Sequence, residues 1–192
     1  MVLDLKNSNV DVPPCLIKGQ TVERVNAYRY LGVIIDDKLV FSMNCDDVFK
    51  KCRQRMHILY TLRAFKVNSV IIDRCYHAFI LSVLSYALVC WFGLVNEKER
   101  RRLNGIVRMC GKIAGRNQQS LEDIYTRRTL EKARKIINDQ SHVLNTLFEV
   151  LPSGQRLRQI KCRTNRYRNS FIPQAITLLN KHYKRSSREI CS

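Results

Sequence analysis

Carboxylates are scarce in this chain, and over one long stretch they are missing. Sixteen Asp and Glu stand against 34 Lys and Arg, a formal net charge of +18 over 192 residues. From Gln155 to Arg188 there is no acid, while Arg156, Arg158, Lys161, Arg163, Arg166, Arg168, Lys181, Lys184, Arg185 and Arg188 are all basic. Such an imbalance costs self-repulsion in a compact chain and points to a polyanionic partner. A merely solvated basic surface is the plainer reading, but the size and uneven distribution of the charge argue against it.

Other absences exclude particular chemistries. Seven scattered glycines supply no Gly-rich loop after a strand, so no nucleotide cradle or methyltransferase loop is expected. None of the eight cysteines forms a Cys-x-x-Cys pair, and no His sits at zinc-finger spacing from two of them. Several cysteines fall among apolar residues, where free Cys behaves as a small hydrophobe. Reduced thiols in an intracellular protein, cytoplasmic or nuclear, with no metal and no cofactor, are the expectation. The opening Met1–Leu5 is too short for a signal peptide and runs into Lys6, Asn7, Ser8 and Asn9.

Cys75–Val95 carries no charged residue. About 20 apolar residues are what a membrane span needs. The segment includes His77, Ser82, Ser85, Tyr76, Tyr86 and Gly93 and is interrupted at Trp91-Phe92-Gly93. A helix buried on all sides is therefore the expectation, with a helix lying on a membrane surface as the alternative.

What is present begins with Tyr28–Asp37, the most strand-like run of the chain. Its Tyr, Val and Ile suit a pleated, half-buried surface, and Gly32 leaves room for another backbone. Met1–Leu5 reads as a short strand, and Asn7–Pro14 as a turn-rich link. Residues 15–17 and 21–25 read as a hairpin around Gly19, and Tyr28–Ile35 as a third strand. Together they predict a small antiparallel sheet that needs cover from elsewhere.

Helices follow. Ser42 opens one whose apolar stripe is Val48, Cys52, Met56, Leu59 and Leu62. Ser69 is the next N-cap candidate. Asn96 and Glu99 form a capping box for a helix that ends near Gly115. That helix has Leu103, Ile106, Val107, Cys110 and Ile113 on one face and Lys98, Arg100, Arg101, Arg102, Arg108 and Lys112 on the other. Ser120 with Asp123 opens a further helix carrying Arg127 and Arg128 among its basic positions. A short helix over Val143–Val150 is expected, then a basic loop over Ser153–Ser170 that orders only on binding. A last helix begins at Pro173, and its basic tail frays from Lys181. The fold class is thus mainly α with a small antiparallel β-unit at the N-terminus. The expected parts are a β-unit at 1–41, a helical domain at 42–151, and a basic loop with the C-terminal helix at 152–192.

Several runs resemble one family in order along essentially the whole chain. They are Tyr28-Arg-Tyr-Leu-Gly-Val-Ile-Ile-Asp-Asp-Lys-Leu, Cys52-Arg-Gln-Arg-Met-His-Ile-Leu-Tyr, and Val83-Leu-Ser-Tyr-Ala-Leu-Val-Cys-Trp-Phe-Gly. Leu103-Asn-Gly-Ile-Val-Arg, Ile124-Tyr-Thr-Arg-Arg-Thr-Leu and Cys162-Arg-Thr-Asn-Arg-Tyr-Arg-Asn-Ser-Phe-Ile-Pro follow. This pattern resembles the C-terminal part of reverse transcriptases of LINE-type (non-LTR) retrotransposons. The resemblance implies that Tyr30, Leu31 and Gly32 lie at a primer-grip turn and that the helices form a thumb-like array and connection. It also implies that Arg100, Arg101, Arg102, Arg108, Arg127, Arg128, Arg156, Arg158, Arg163, Arg166 and Arg168 face nucleic acid. The implied partner is an RNA–DNA hybrid or duplex, held through phosphate and sugar without sequence preference. Tyr28, Tyr30, Tyr167 and Phe171 are candidates for base stacking, although core packing is the preferred reading of each.

The same resemblance implies metal-dependent polymerisation by palm aspartates, which this chain does not match. Ile34 stands where an aromatic should precede the acid pair, and Asp36-Asp37 follows the Tyr-Leu-Gly run instead of preceding it. The pair reads as turn acids. The expectation is a non-catalytic fragment, opening at an internal Met, or a translated relic that keeps the same residues. The Tyr-Leu-Gly block also resembles a short region at the N-terminus of an AlkB-homologue alkylation-repair protein, which gives the alternative of an accessory domain for repair or tRNA modification. The dioxygenase signature His-x-Asp is absent: Leu59, Phe79, Leu144 and Lys184 stand two residues after the four histidines.

Overall fold

The computed structural model describes residues 1, 3, 13–154 and 156–189. The expected strand at Met1–Leu5 and most of the link at 7–14 lie outside the described residues. The protein is mainly helical, with two small antiparallel strand pairs near its N-terminus.

The pairs are separate hairpins and not one sheet. Strands β1 (Leu16–Ile17) and β2 (Gln20–Thr21) turn through Lys18 and Gly19, both at positive φ. Strands β3 (Ala27–Tyr30) and β4 (Val33–Asp36) pair Tyr30 with Val33. The expected single strand Tyr28–Ile35 is therefore folded in two. Leu31 (φ 46°) and Gly32 (φ 84°) make a two-residue turn with both residues left-handed, the geometry that matches strand twist. Leucine is an unusual choice there. Its carbonyl accepts the Tyr86 hydroxyl at 2.7 Å, a contact across 55 residues. Gly32 leaves room for that ring and not for a backbone: a Cβ there would stand 3.3 Å from Tyr86 Cε1.

The hairpin is fixed to helix α1 (Ser42–Ala64). Ile34 N donates to Asn44 Oδ1 at 3.1 Å, and the Arg29 guanidinium bridges both oxygens of Asp47 at 3.1 and 3.2 Å. The Arg29 hydrogen bond, followed by Lys51, holds the Asp47 carboxyl below the usual carboxylate range. Asp36 acts as a turn acid. Its carboxylate accepts from the backbone N–H of Lys38, Val40 and Phe41, which steers the chain into α1. Val33 and Ile35 then pack on the main core, the cover that the small hairpin needs.

Cys45, Val48, Cys52, Met56 and Leu59 of α1 are buried, as the apolar stripe requires. Beside them runs a broken helical segment. Helix α2 (Ser69–Cys75), capped by Asn68, passes into a π-helical stretch at Tyr76–Leu81 and then α3 (Ser82–Leu84). The chain breaks at Ser85–Ala87, with Ala87 at φ 47°, and resumes as α4 (Leu88–Trp91) and a 3-10 turn at Phe92–Leu94. Ser69–Leu94 is long and apolar enough to cross a membrane by length and composition. It is not buried on all sides. Ile72, Tyr76, Ile80, Leu84, Leu88 and Trp91 are inside, while Phe79 and Tyr86 are exposed. His77 and Ser82 are exposed beside them, so the run presents one face to solvent.

Helices α5 (Glu97–Ala114) and α6 (Leu121–Asn138) start and stop where local capping dictates. Asn96 Oδ1 accepts from Glu99 N at 2.8 Å, Ser120 Oγ accepts from Asp123 N at 3.1 Å, and Gly115 at φ 66° ends α5. The return half of the Asn96 capping box is replaced, because the Glu99 carboxylate accepts from Arg102.

Two cores share α6. Leu121, Ile124 and Tyr125 join the first, with α1 and α5. Leu130, Ala133 and Ile136 join the second, with Ala175, Ile176 and Leu179 of α8 (Phe171–Glu189). The packing therefore divides within α6 and not at residue 151. The expected helix at Val143–Val150 is only a 3-10 turn at Asn145–Leu147. The Asn145 amide donates to the carbonyls of Ile136, Ile137 and Asp139, so it caps the end of α6 instead of extending a new helix. The loop expected to order only on binding is anchored. Leu157 is buried, its N–H and C=O both bond the Asn180 side chain at 2.9 and 3.0 Å, and α7 (Asn165–Arg168) follows. Pro173 lies in the first turn of α8, which runs to Glu189.

Gly93 is where the second unit meets the first. A Cβ there would strike the Asn169 carbonyl oxygen and stand 2.7 Å from the Tyr125 hydroxyl. Gly93→Ala is expected to cost about 1–3 kcal/mol, because a backbone atom has to give way. A urea unfolding midpoint equal to that of the parent chain would contradict this packing.

Candidate nucleic-acid interface

The arginines singled out by sequence fall into two populations. One population saturates backbone carbonyls and internal acids. Arg100, on the first turn of α5, donates to Val95, Phe92 and Gly93 carbonyls at 3.0, 3.1 and 3.0 Å, and its Cζ lies 4.9 Å from the Phe92 ring centroid. It thus caps the 3-10 turn that ends the broken segment. Arg102 bonds Asp46 and Glu99 and lies over Phe49, Cζ 3.9 Å from the centroid, tying α5 to α1. The Asp46 hydrogen bond pushes its pKa further above the ordinary arginine value. Arg128 donates to the Ser85 carbonyl at the helix break. Two arginines outside the expected set do the same work. Arg55 donates to Phe79 O at 2.8 Å, and Arg63 to Lys112 and Ile113 carbonyls at 2.5 and 2.8 Å.

The second population is exposed. Arg108, Arg127, Arg156 and Arg163 make no side-chain hydrogen bond or ion pair among the described residues. Arg166 is half-buried and likewise unpaired, and Arg168 bonds Asn165 at 3.2 Å. Arg101 and Arg158 make exposed ion pairs with Glu97 at 3.1 Å and Glu149 at 3.3 Å. Such pairs are worth roughly 0–1 kcal/mol and exchange readily for a phosphate partner.

The acids are largely engaged within the fold. Asp47, Asp46, Glu99 and Glu149 pair with arginines, Glu122 accepts twice from the Asn104 amide, and Asp73 accepts from Gln118 at 2.6 Å. Excess cation is therefore left at the surface with few acids to neutralise it.

Between the π-helical stretch, the loop after α5 and the start of α6 lies a cleft of about 650 Å³. Arg127 and Arg128 line it, as sequence placed both on α6. Arg116, which sequence reasoning passed over, lines it as well. The available signal was Gly115, a left-handed helix stop that turns the next residue back across the helix. Gly111 permits the return, since a Cβ there would lie 2.8 Å from Arg116 O.

Tyr30, Leu31 and Gly32 form the tip of the β3–β4 hairpin. Tyr28, Tyr30 and Leu31 are exposed, Leu31 by 74%, and Tyr167 is exposed too. Core packing was the preferred reading of these tyrosines, and the structure overturns it: their strands and short helix present them to solvent. Phe171 packs against the second core as preferred. No cluster of three or more metal-ligating side chains occurs among the described residues. Burial pushes the thiols of Cys45, Cys52 and Cys110 up to about 12, and these cysteines pack as hydrophobes.

The partition has a direct consequence. Arg100→Ala removes a charged donor from three part-buried carbonyls and is expected to cost about 1.5–3 kcal/mol. Arg127→Ala, at an exposed site, should stay within roughly 0.5 kcal/mol. Equal urea midpoints for the two variants would contradict the division. Comparison of the chain with protein-family models, with curated proteins and with solved structures finds no match.

Proposed function

We propose that this chain is a non-catalytic, nucleic-acid-binding helical array akin to the thumb and connection of a LINE-type reverse transcriptase. In this reading it holds an RNA–DNA hybrid or a duplex through phosphate and sugar, without reading sequence. The supporting observation is the set of exposed guanidiniums with no acid partner, Arg108, Arg127, Arg156 and Arg163, in a fold whose carboxylates are mostly engaged internally. Guanidinium forks suit phosphate oxygens and carry no base information. The order of the sequence resemblances along the chain supplies the family. In this reading the role is grip and not chemistry: Asp36 directs its oxygens to three backbone N–H groups, and Asp47 is engaged by Arg29 and Lys51.

Fluorescence anisotropy of the purified chain with an RNA–DNA hybrid, a DNA duplex and single-stranded RNA, each over a salt series, tests this reading. Binding strongest for the hybrid or duplex, with log K falling steeply and linearly against log salt, is the expected result. Weak binding that ignores salt would overturn it.

A further inference from the structure

The exposed arginines do not all have the same surroundings, and the cleft beside the π-helical stretch concentrates donors. We infer that this cleft is the principal phosphate-binding site of the chain and takes the phosphodiester backbone of a nucleic acid, with Arg116 and Arg127 as its two free guanidiniums. The inference rests on the nucleic-acid reading above and narrows it to one place.

The site is built by the fold and is not a chance crowding of cations. Gly115 stops α5 in a left-handed residue, and the N–H of Arg116 returns to the Gly111 carbonyl at 3.0 Å. Gln118 then reaches across to Asp73 of α2 at 2.6 Å, which pins the loop to the other wall. The loop is thus tied to both walls, and Arg116, Asn117 and Gln119 on it are exposed and have no side-chain hydrogen bond among the described residues. The facing wall is π-helical, a distortion that recurs at functional sites. Arg128 closes the α6 side and is anchored to the Ser85 carbonyl. Its charge stays in the cleft while its position is fixed.

The donor set selects the ligand. Guanidiniums and primary amides donate forks of N–H groups, which match phosphate oxygens. The one carboxylate in the cleft, Asp73, already accepts from Gln118 and lies 3.9 Å from His77 Nε2. The walls are helices and a loop with no strand edge on which an acidic peptide could pair its backbone. Apolar small-molecule sites have mainly hydrophobic walls, whereas polar side chains dominate this lining. A chain that tolerates any base sequence needs donors of this kind and no base pocket.

The double variant Arg116→Ala/Arg127→Ala, checked for native helicity by circular dichroism, is titrated with a fluorescein-labelled RNA–DNA hybrid over a salt series beside the parent chain. Loss of two phosphate contacts should weaken binding roughly thirtyfold near 0.15 M salt and make the log K against log salt slope shallower by about two units. Arg116→Lys/Arg127→Lys, which keeps both charges, should recover most of the slope. A parent chain that binds steeply and a double variant that matches it would overturn the cleft and leave the general reading standing. A parent chain that binds no nucleic acid would overturn both. A labelled polyglutamate peptide that binds the parent more tightly than the hybrid does, and is lost in the double variant, would assign the cleft to an acidic protein and overturn the inference.

Discussion

An apolar segment that cannot remain one straight helix sets the terms for the rest of the molecule. Ser69–Leu94 passes from α-helix to π-helix, breaks at Ser85–Ala87 and ends in a 3-10 turn. Carbonyls along it take side-chain donors in addition to backbone ones. Donors arrive from other elements: Arg55 of α1 at Phe79, Arg128 of α6 at Ser85, and Arg100 of α5 at Phe92, Gly93 and Val95. Trp91 adds its indole N–H to the Tyr86 carbonyl at 3.0 Å. The cations that would be hardest to place in a core thus hold the surrounding helices to it.

The same break reaches the hairpin and the cleft. Tyr86, in the break, donates to Leu31 and fixes the β3–β4 turn, while Arg128, anchored one residue earlier, fixes a wall of the cleft. A single irregular stretch therefore positions the hairpin tip and a wall of the arginine-lined cleft. The carbonyls engage only some of the arginines, and among the described residues Arg108, Arg116, Arg127, Arg156 and Arg163 remain unpaired at the surface. Two populations of one residue type, one structural and one free, follow from the geometry of one segment.

What sequence revealed and what it hid divide along the same line. The ends of α5 and α6 were legible because Asn96, Gly115 and Ser120 act within a few residues of themselves. The stripe of α1 was legible because 3.6-residue periodicity is local. The turn at Leu31-Gly32 was not, because the group that stabilises a left-handed leucine is a tyrosine far along the chain. Arg100 and Arg127 both sit on basic helix faces, and nothing in their neighbours tells which meets a carbonyl and which meets water. Arg116 was overlooked for the converse reason: its position depends on a chain reversal over Gly111 that composition does not reveal. The exposed face of the Cys75–Val95 run was hard to read because Phe79 and Tyr86 lie on it beside the polar His77 and Ser82.

The division of the arginines is testable residue by residue. Side-chain Nε–H signals of arginine can be followed by NMR while an RNA–DNA hybrid is added to the intact chain. The account predicts that Arg108, Arg116, Arg127, Arg156 and Arg163 shift or broaden, and that Arg100 and Arg102 keep their positions. Movement of Arg100 and Arg102 with the exposed set unchanged would contradict it.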